Sequence, residues 1–348
     1  MLNRRHIIQA AAAAALAGGA APARAQGRPF TFCSFGGAIG TTFKTAMMDP
    51  AAKKLGIQIA YTSPTNYAKI KAMVEAKAVE WDLVDTGGQF IYQGQEQGLL
   101  EKLDYSIIDA SKLDPTWVSD YGIYSLVGGT VLAYNTNAMP GGRTPQSWKD
   151  FWDVKSFPGP RSLYTRFYYN YEAALMAAGV PRNEIYPATD EHVKLAFEKL
   201  REIKPHVKVW WSAGAQPAQL LSTGEVAMAS VWSGRVLDVI KDGAPVAFTY
   251  SDGIAWGEAF VVPKGSPNAE LAMKMINYAI SPQAQEALLP LGIYGPVLAS
   301  AAAKATPEQA KLYISYPANL AQCCIFNDAA VAKYATRYEE AWQKFLLS

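Results

Sequence analysis

Trp256 and Glu258 are the residues of this chain whose types and spacing point most directly to chemistry. They lie in the segment GIAWGEAFVVPKGSPN, residues 253–268, which predicts a turn, an apolar strand and a Pro/Gly/Ser corner before an amphipathic helix. Side chains two apart on a strand point to the same face. A carboxylate beside an indole face is a receptor for an ammonium group. The alternative is that Trp256 belongs to the core and Glu258 caps a sheet edge, which an isolated W-x-E favours.

No catalytic grouping accompanies this pair. Beyond residue 25 the chain has two histidines, His192 and His206, and each fits a helix-surface or helix-end position better than a catalytic one. The sequence contains no G-x-S-x-G, no H-E-x-x-H, no Walker-type glycine loop and no C-x-x-C. Because an acid, base or nucleophile grouping is missing, the sequence argues against an exported enzyme.

The N-terminus predicts export. Residues 1–25 combine the basic pair Arg4 and Arg5, an Ala/Leu-rich run over 7–21, and a small-x-small cleavage site that ends at Ala25. The twin arginine indicates the export route for proteins that fold before crossing. We therefore expect a periplasmic protein cleaved after Ala25.

The charge balance excludes two classes of partner. The leader removes three of the 32 basic residues and none of the 30 acidic ones, which leaves 29 basic against 30 acidic residues in the mature chain. The mature protein is nearly neutral and has neither a basic patch for nucleic acid nor a polybasic segment for a lipid surface.

Three cysteines leave two interpretations open. In an oxidising compartment Cys33 can form a disulfide with Cys323 or Cys324, which leaves one thiol unpaired. Alternatively, all three are small buried hydrophobic residues.

The elements that must position these residues alternate between strand and helix. This pattern predicts an α/β fold with mostly parallel strands, and the length favours two domains. The Gly/Pro-rich segment 140–145 is predicted to be a domain boundary. Strands are predicted over residues 30–35, 57–62, 82–86, 129–134 and 161–165, and helices over 67–79, 147–152, 190–203 and 328–347.

Six segments, in order, resemble the extracytoplasmic substrate-binding proteins of ABC importers, and among them the spermidine/putrescine-binding group. The resemblance implies a periplasmic-binding-protein fold of type II, in which hinge crossover strands join two lobes that close over a solute. It also implies a membrane permease as partner, no cofactor, no metal and a monomer. The segments are residues 67–84, 98–104, 145–153, 218–236, 253–268 and 291–297. The expected units are lobe 1, residues 28–138 plus 245–300; lobe 2, residues 139–244; and C-terminal helices, residues 301–348, packing on the lobes.

The resemblance also implies which residues contact the solute. Trp256 and Glu258 match the W-x-D pair with which the family holds an amine. Trp232 and Tyr294 match aromatic wall residues, and Gln89 stands where polyamine binders often carry tyrosine. The remaining candidates are Ser34, Phe35, Arg166, Tyr169 and Ser212.

Arg166 and Tyr169 stand where polyamine binders place acidic residues. A cation there repels a diamine but pairs bidentately with a carboxylate. We therefore predict a zwitterionic ω-amino acid of the γ-aminobutyrate type, held by Glu258 and Arg166. The alternative is a polyamine, with Arg166 turned outward or Glu172 in the pocket. A quaternary ammonium, and a ferric ion bound through Tyr168 and Tyr169, are remoter alternatives.

Overall fold

The computed structural model describes residues 28–348, so the predicted leader lies outside the described residues. Eleven strands of this part of the chain join in one sheet. They are β1 (Phe30–Cys33), β2 (Ile59–Thr62), β3 (Leu83–Gly87), β4 (Val118–Ser119), β5 (Gly122–Asn135), β6 (Arg161–Tyr164), β7 (Val207–Trp211), β8 (Met228–Trp232), β9 (Val246–Val261), β10 (Gly295–Pro296) and β11 (Cys324–Ile325).

Helices cover the sheet, and the two longest have clear local signals. Asp190–Ile203 begins where the Thr189 hydroxyl accepts a hydrogen bond from the His192 amide. Asp328–Leu347 begins where the Asn327 side chain accepts one from the Ala330 amide. The other α-helices are Gly37–Phe43, Asp49–Leu55, Tyr67–Glu75, Gln89–Glu96, Trp148–Trp152, Asn170–Ala178, Gln216–Ser222, Ser233–Lys241, Ala269–Ala279, Pro282–Glu286, Ala299–Ala302, Pro307–Ala310 and Pro317–Leu320, with a π-helical turn at Lys44–Met48.

Two long strands join the two groups of parallel strands. The strand order is β2-β1-β3-β9-β5-β8-β6-β7. β1 pairs in parallel with β2 and β3, and β6 pairs in parallel with β7 and β8. β5 and β9 run antiparallel to each other, and they run antiparallel to β8 and β3 respectively. The sheet therefore has a parallel group at each end and a shared pair of crossing strands between them.

The crossing strands differ from the sequence predictions in two places. β5 begins at Gly122, well before the predicted residue 129, and all fourteen of its residues are buried, so no alternation marks its first half. The turn predicted at Gly253 lies instead inside β9. β9 stays paired with β5 on both sides of Gly253. The extra residues of β9 between the pairs Thr130↔Ile254 and Leu132↔Thr249 form a bulge.

The C-terminal helix packs its apolar stripe into the core. Val331, Tyr334, Trp342 and Phe345 are buried, while Tyr338, which helical spacing also predicts on this stripe, is half-buried. The three cysteines are buried free thiols, in agreement with the second of the two interpretations. In residues 28–348 no helix is both long enough and apolar enough to cross a membrane.

Candidate functional site

A cavity of about 310 Å³ lies where the carboxyl ends of several parallel strands converge. This position is where open α/β sheets bind ligands. β1 leads into its wall at Phe35, β3 at Gly88, β6 at Tyr164 and β8 at Trp232. The remaining lining residues are Gly36, Ile39, Tyr67, Gly87, Gln89, Tyr168, Tyr169, Arg235, Trp256, Gly257, Glu258, Tyr294 and Asp328.

A second, larger groove of about 670 Å³ surrounds Arg182 and Asp252. The guanidinium of Arg182 already contacts the Asp252 carboxylate at 3.2 Å and donates to the Gln322 carbonyl at 2.6 Å. In the smaller cavity, by contrast, buried polar atoms of Trp232, Arg235 and Glu258 have no partner. Because unpaired buried polar groups are costly, we assign the ligand site to the smaller cavity.

The predicted pair Trp256 and Glu258 both line this cavity. The indole of Trp256 lies against the backbone of β5, where its Nε1 donates to the Thr130 hydroxyl at 3.1 Å. A Cβ atom at Gly128 would lie 2.4 Å from the Trp256 ring. The glycine on β5 therefore makes room for the indole.

We expect Gly128→Ala to destabilise the protein by about 1–3 kcal/mol, because the added methyl group overpacks the Trp256 ring. Urea unfolding measures this loss. In a Trp256→Phe background the smaller ring relieves the overlap, so the same substitution should cost less. An equal cost in both backgrounds would mean that the methyl group acts elsewhere.

Aromatic rings form the walls. The Trp232 ring stands nearly perpendicular to the Trp256 ring, with centroids 6.2 Å apart. Tyr169 lies 6.4 Å from Trp256 at an interplanar angle of 28°, and Tyr294 lies 6.4 Å from Trp256 on another side. Such a box accommodates an alkyl chain and presents ring faces to a cation.

Carboxyl groups gather at one side of the cavity. Glu258 Oε2 and Asp85 Oδ1 are buried without a hydrogen-bond partner, while Asp328 accepts from the Tyr124 hydroxyl at 2.6 Å. Burial raises the pKa of Glu258 well above its usual value, and the charges of Asp85 and Asp328 raise it further. Burial also raises the pKa of Asp328 to about 7. This side of the cavity is therefore suited to a cation that relieves the crowding of negative charge.

Arg235 provides a positive charge in the same cavity. It lies in the first turn of Ser233–Lys241, the helix that directly follows β8. Its Nε is buried without a hydrogen-bond partner, and its guanidinium forms no ion pair with any residue in the described part of the chain. A free guanidinium in a cavity is a bidentate receptor for a carboxylate.

The structure brings seven of the ten predicted residues to this cavity and places three elsewhere. Ser34 is buried behind it and accepts a hydrogen bond from the Gly36 amide at 3.2 Å. Arg166 lies in a neighbouring groove, half exposed, with Nη1 3.9 Å from Glu339. Ser212 is exposed. The seven are Phe35, Gln89, Tyr169, Trp232, Trp256, Glu258 and Tyr294.

The local backbone explains why Arg166 and Tyr169 diverge. Tyr169 has φ 68° and ψ −37°, and its ring lines the cavity. The Asn170 side chain donates to the Arg166 carbonyl at 2.7 Å and to the Tyr164 carbonyl at 2.6 Å, which fixes the loop between them. Glu172 also lies outside the cavity.

Sequence reasoning missed several lining residues. For Arg235 a signal existed, because it lies inside the segment 218–236 that carries the family resemblance, just after the strand end. Asp328 is the first residue of the predicted C-terminal helix, but nothing in the sequence placed that helix at the cavity. The other missed side chains are Ile39, Tyr67 and Tyr164, while Tyr168 was named only in the ferric alternative.

The fold and the cavity are those of a protein that binds a small solute between two groups of strands. The chain belongs to the family described as "Bacterial extracellular solute-binding protein", which it matches over residues 46–318. This finding confirms the family predicted from the six segments.

Individual relatives support the same conclusion. The chain is 38% identical over 282 residues to the gamma-aminobutyric acid-binding protein of Pseudomonas aeruginosa, covering 80% of this chain and 79% of that protein. It is 29% identical over 277 residues to spermidine/putrescine-binding periplasmic protein 1 of Haemophilus influenzae, covering 76% of this chain and 74% of that protein.

A solved structure confirms the fold class. An ABC transporter substrate-binding protein from Bradyrhizobium japonicum superposes with a TM-score of 0.85 at 42% identity, covering 91% of this chain and 98% of that one. The predicted α/β fold of the two-lobed periplasmic binding proteins is therefore correct.

Proposed function

We propose that this protein captures a zwitterionic ω-amino acid, such as γ-aminobutyrate, for an ABC importer. One observation carries the proposal. A single cavity holds an unpaired guanidinium, Arg235, together with the carboxylates Glu258 and Asp328. A ligand with one amine and one carboxylate satisfies both ends. The ligand named for the Pseudomonas aeruginosa relative has these two groups.

In this proposal the amine lies beside Glu258 and against the face of Trp256, where a cation–π contact contributes on the order of 0.5–2 kcal/mol. The carboxylate pairs with Arg235. Glu258 belongs to the proposed lobe 1 (residues 28–138 plus 245–300) and Arg235 to the proposed lobe 2 (residues 139–244). A ligand that contacts both favours the closed form, and closure creates the surface that the membrane permease recognises.

Polyamine binding is the second candidate. The spermidine/putrescine-binding relative and the three clustered carboxyl groups favour it. Arg235 opposes it, because a guanidinium repels the second ammonium of a diamine. A ferric ion finds Tyr168 and Tyr169 together at the cavity, but burial raises the pKa of both phenols, which disfavours the phenolates that the ion requires.

The proposal includes the rest of the transport role. The protein acts as a periplasmic monomer, exported by the leader over residues 1–25, and it releases its solute unchanged to the permease.

Calorimetric titration of the mature protein tests the ligand class. We expect γ-aminobutyrate to bind more tightly than butyrate, which lacks the amine, and than n-butylamine, which lacks the carboxylate. Putrescine and spermidine serve as competitors. Tighter binding of either polyamine than of γ-aminobutyrate would overturn the proposal in favour of the second candidate.

A further inference from the structure

Glu172 is a buried carboxylate that lies outside the cavity and has three hydrogen-bond donors. Its Oε2 accepts from the Tyr169 amide at 2.5 Å. Its Oε1 accepts from the Tyr186 hydroxyl at 2.6 Å and from the Tyr334 hydroxyl at 2.7 Å. A buried carboxylate needs hydrogen-bond donors such as these three. The solute binding proposed above does not use it.

The first of these donors belongs to a residue of the cavity wall. Tyr169 has a positive φ of 68°, a conformation that residues with a Cβ rarely adopt and that persists only where the surroundings hold it. Its ring lies 5.9 Å from Tyr164 and 6.4 Å from Trp256, at interplanar angles of 27° and 28°. The bond from the Tyr169 amide to Glu172 therefore acts on the residue that completes this wall.

The third donor belongs to the C-terminal helix, Asp328–Leu347. The same helix lines the cavity through Asp328, whose carboxylate accepts from Tyr124. Tyr334 lies six residues further along and reaches Glu172. One carboxylate thus joins a wall ring to the helix that contributes another cavity residue.

We propose that Glu172 is a positioning residue for the solute site, holding the Tyr169 ring in the wall and fastening that wall to the C-terminal helix. The proposal rests on the cavity being the solute site. Glu172 acts through Tyr169 and Tyr334 and does not touch the solute.

A thermodynamic cycle tests the link to the ring. We expect Glu172→Met to weaken γ-aminobutyrate binding by roughly fivefold or more, since residues in one hydrogen-bond network couple by this order. In a Tyr169→Ala background, which lacks the ring, the same substitution should change affinity by less than about twofold. Glu172→Gln should keep most of the wild-type affinity that Glu172→Met loses, because the amide oxygen of glutamine still accepts from the Tyr169 amide. An equal loss in both backgrounds, or no loss in either, would overturn the proposal.

Two tyrosines provide a matched pair for the link to the helix. Tyr334→Phe and Tyr186→Phe each remove one hydroxyl from the same oxygen, but only Tyr334 belongs to the helix that carries Asp328. We expect Tyr334→Phe to weaken binding more than Tyr186→Phe. Equal effects would contradict the link to the helix.

Failure of the proposed function can be told apart from failure of this proposal. If γ-aminobutyrate does not bind the wild type, the proposed function fails, and the cycle is run with whichever polyamine binds.

If Glu172→Met does not fold, Glu172→Asp replaces it, because the shorter side chain cannot reach all three donors at once. A loss with Glu172→Asp that disappears in Tyr169→Ala supports the proposal, and no loss overturns it.

Discussion

Arg235→Met is expected to weaken γ-aminobutyrate binding by about 2–5 kcal/mol, or roughly 30-fold to several thousand-fold, because it leaves the ligand carboxylate buried and unpaired. The guanidinium lines the cavity with a buried Nε that lacks a partner, so it has no competing ion pair to lose when the ligand enters. Methionine keeps much of the side-chain volume. Calorimetry on the folded variant measures the change.

Arg166→Met is the matched control. Arg166 is half exposed and 3.9 Å from Glu339, so its removal should change affinity by less than about twofold. A second control varies the ligand, because n-butylamine lacks the carboxylate and should not lose affinity in Arg235→Met. If Arg166→Met abolishes binding while Arg235→Met does not, the carboxylate subsite lies in the neighbouring groove.

The sequence predicted the helices and strands best where a single spacing of apolar residues dominates. Asp190–Ile203 and Asp328–Leu347 agree with prediction at both ends, because each combines an N-cap with a continuous apolar stripe. β5 and β9 were predicted less well. Each is paired on both sides, so burial removes the alternation of β5 and long-range pairing overrides the turn signal in β9.

The residues of the candidate site were also predicted only in part. Trp256 and Glu258 follow from strand geometry, which fixes their side chains to one face. The position of Arg166 does not follow from the sequence, because the loop that carries it is held by hydrogen bonds from the Asn170 side chain to the Tyr164 and Arg166 carbonyls. The sequence predicted Arg166 as the cation for the carboxylate, whereas the arginine that lines the cavity is Arg235, on the helix after β8.

The arginine side and the carboxyl side of the cavity differ before the ligand binds. Arg235 contributes a guanidinium group to one side of the cavity. On the other side, burial raises the pKa values of Glu258, Asp85 and Asp328. Burial therefore favours the protonated form of these carboxyl groups before the ligand binds, and an entering ammonium group favours their ionised form.

Glu258→Gln is expected to weaken γ-aminobutyrate binding by about 2–5 kcal/mol, because the ammonium group loses its charged partner while its desolvation remains. Butyrate supplies the matched ligand, since it has no amine. The affinity difference between γ-aminobutyrate and butyrate should shrink in the variant. If that difference stays as large as in the wild type, the amine lies elsewhere, with Asp328 as the next acceptor to replace.

The pH dependence of binding gives an independent measure of the same group. An ammonium ligand favours the ionised form of Glu258 and Asp328, so binding lowers their pKa values and releases protons. Affinity should therefore rise with pH through the raised pKa values of the free protein, which include the value of about 7 for Asp328. The amine and the carboxylate of γ-aminobutyrate do not titrate between about pH 6 and 9, so the slope belongs to the protein.

Calorimetry in two buffers of different ionisation enthalpy counts the released protons. We expect release near pH 7 in the wild type and less in Glu258→Gln, because one of the titrating carboxyl groups is gone. A tightly bound γ-aminobutyrate with neither proton release nor pH dependence would show that its amine does not contact the carboxyl cluster. The ammonium would then be held by the aromatic rings alone, and the acidic side of the cavity would serve another solute.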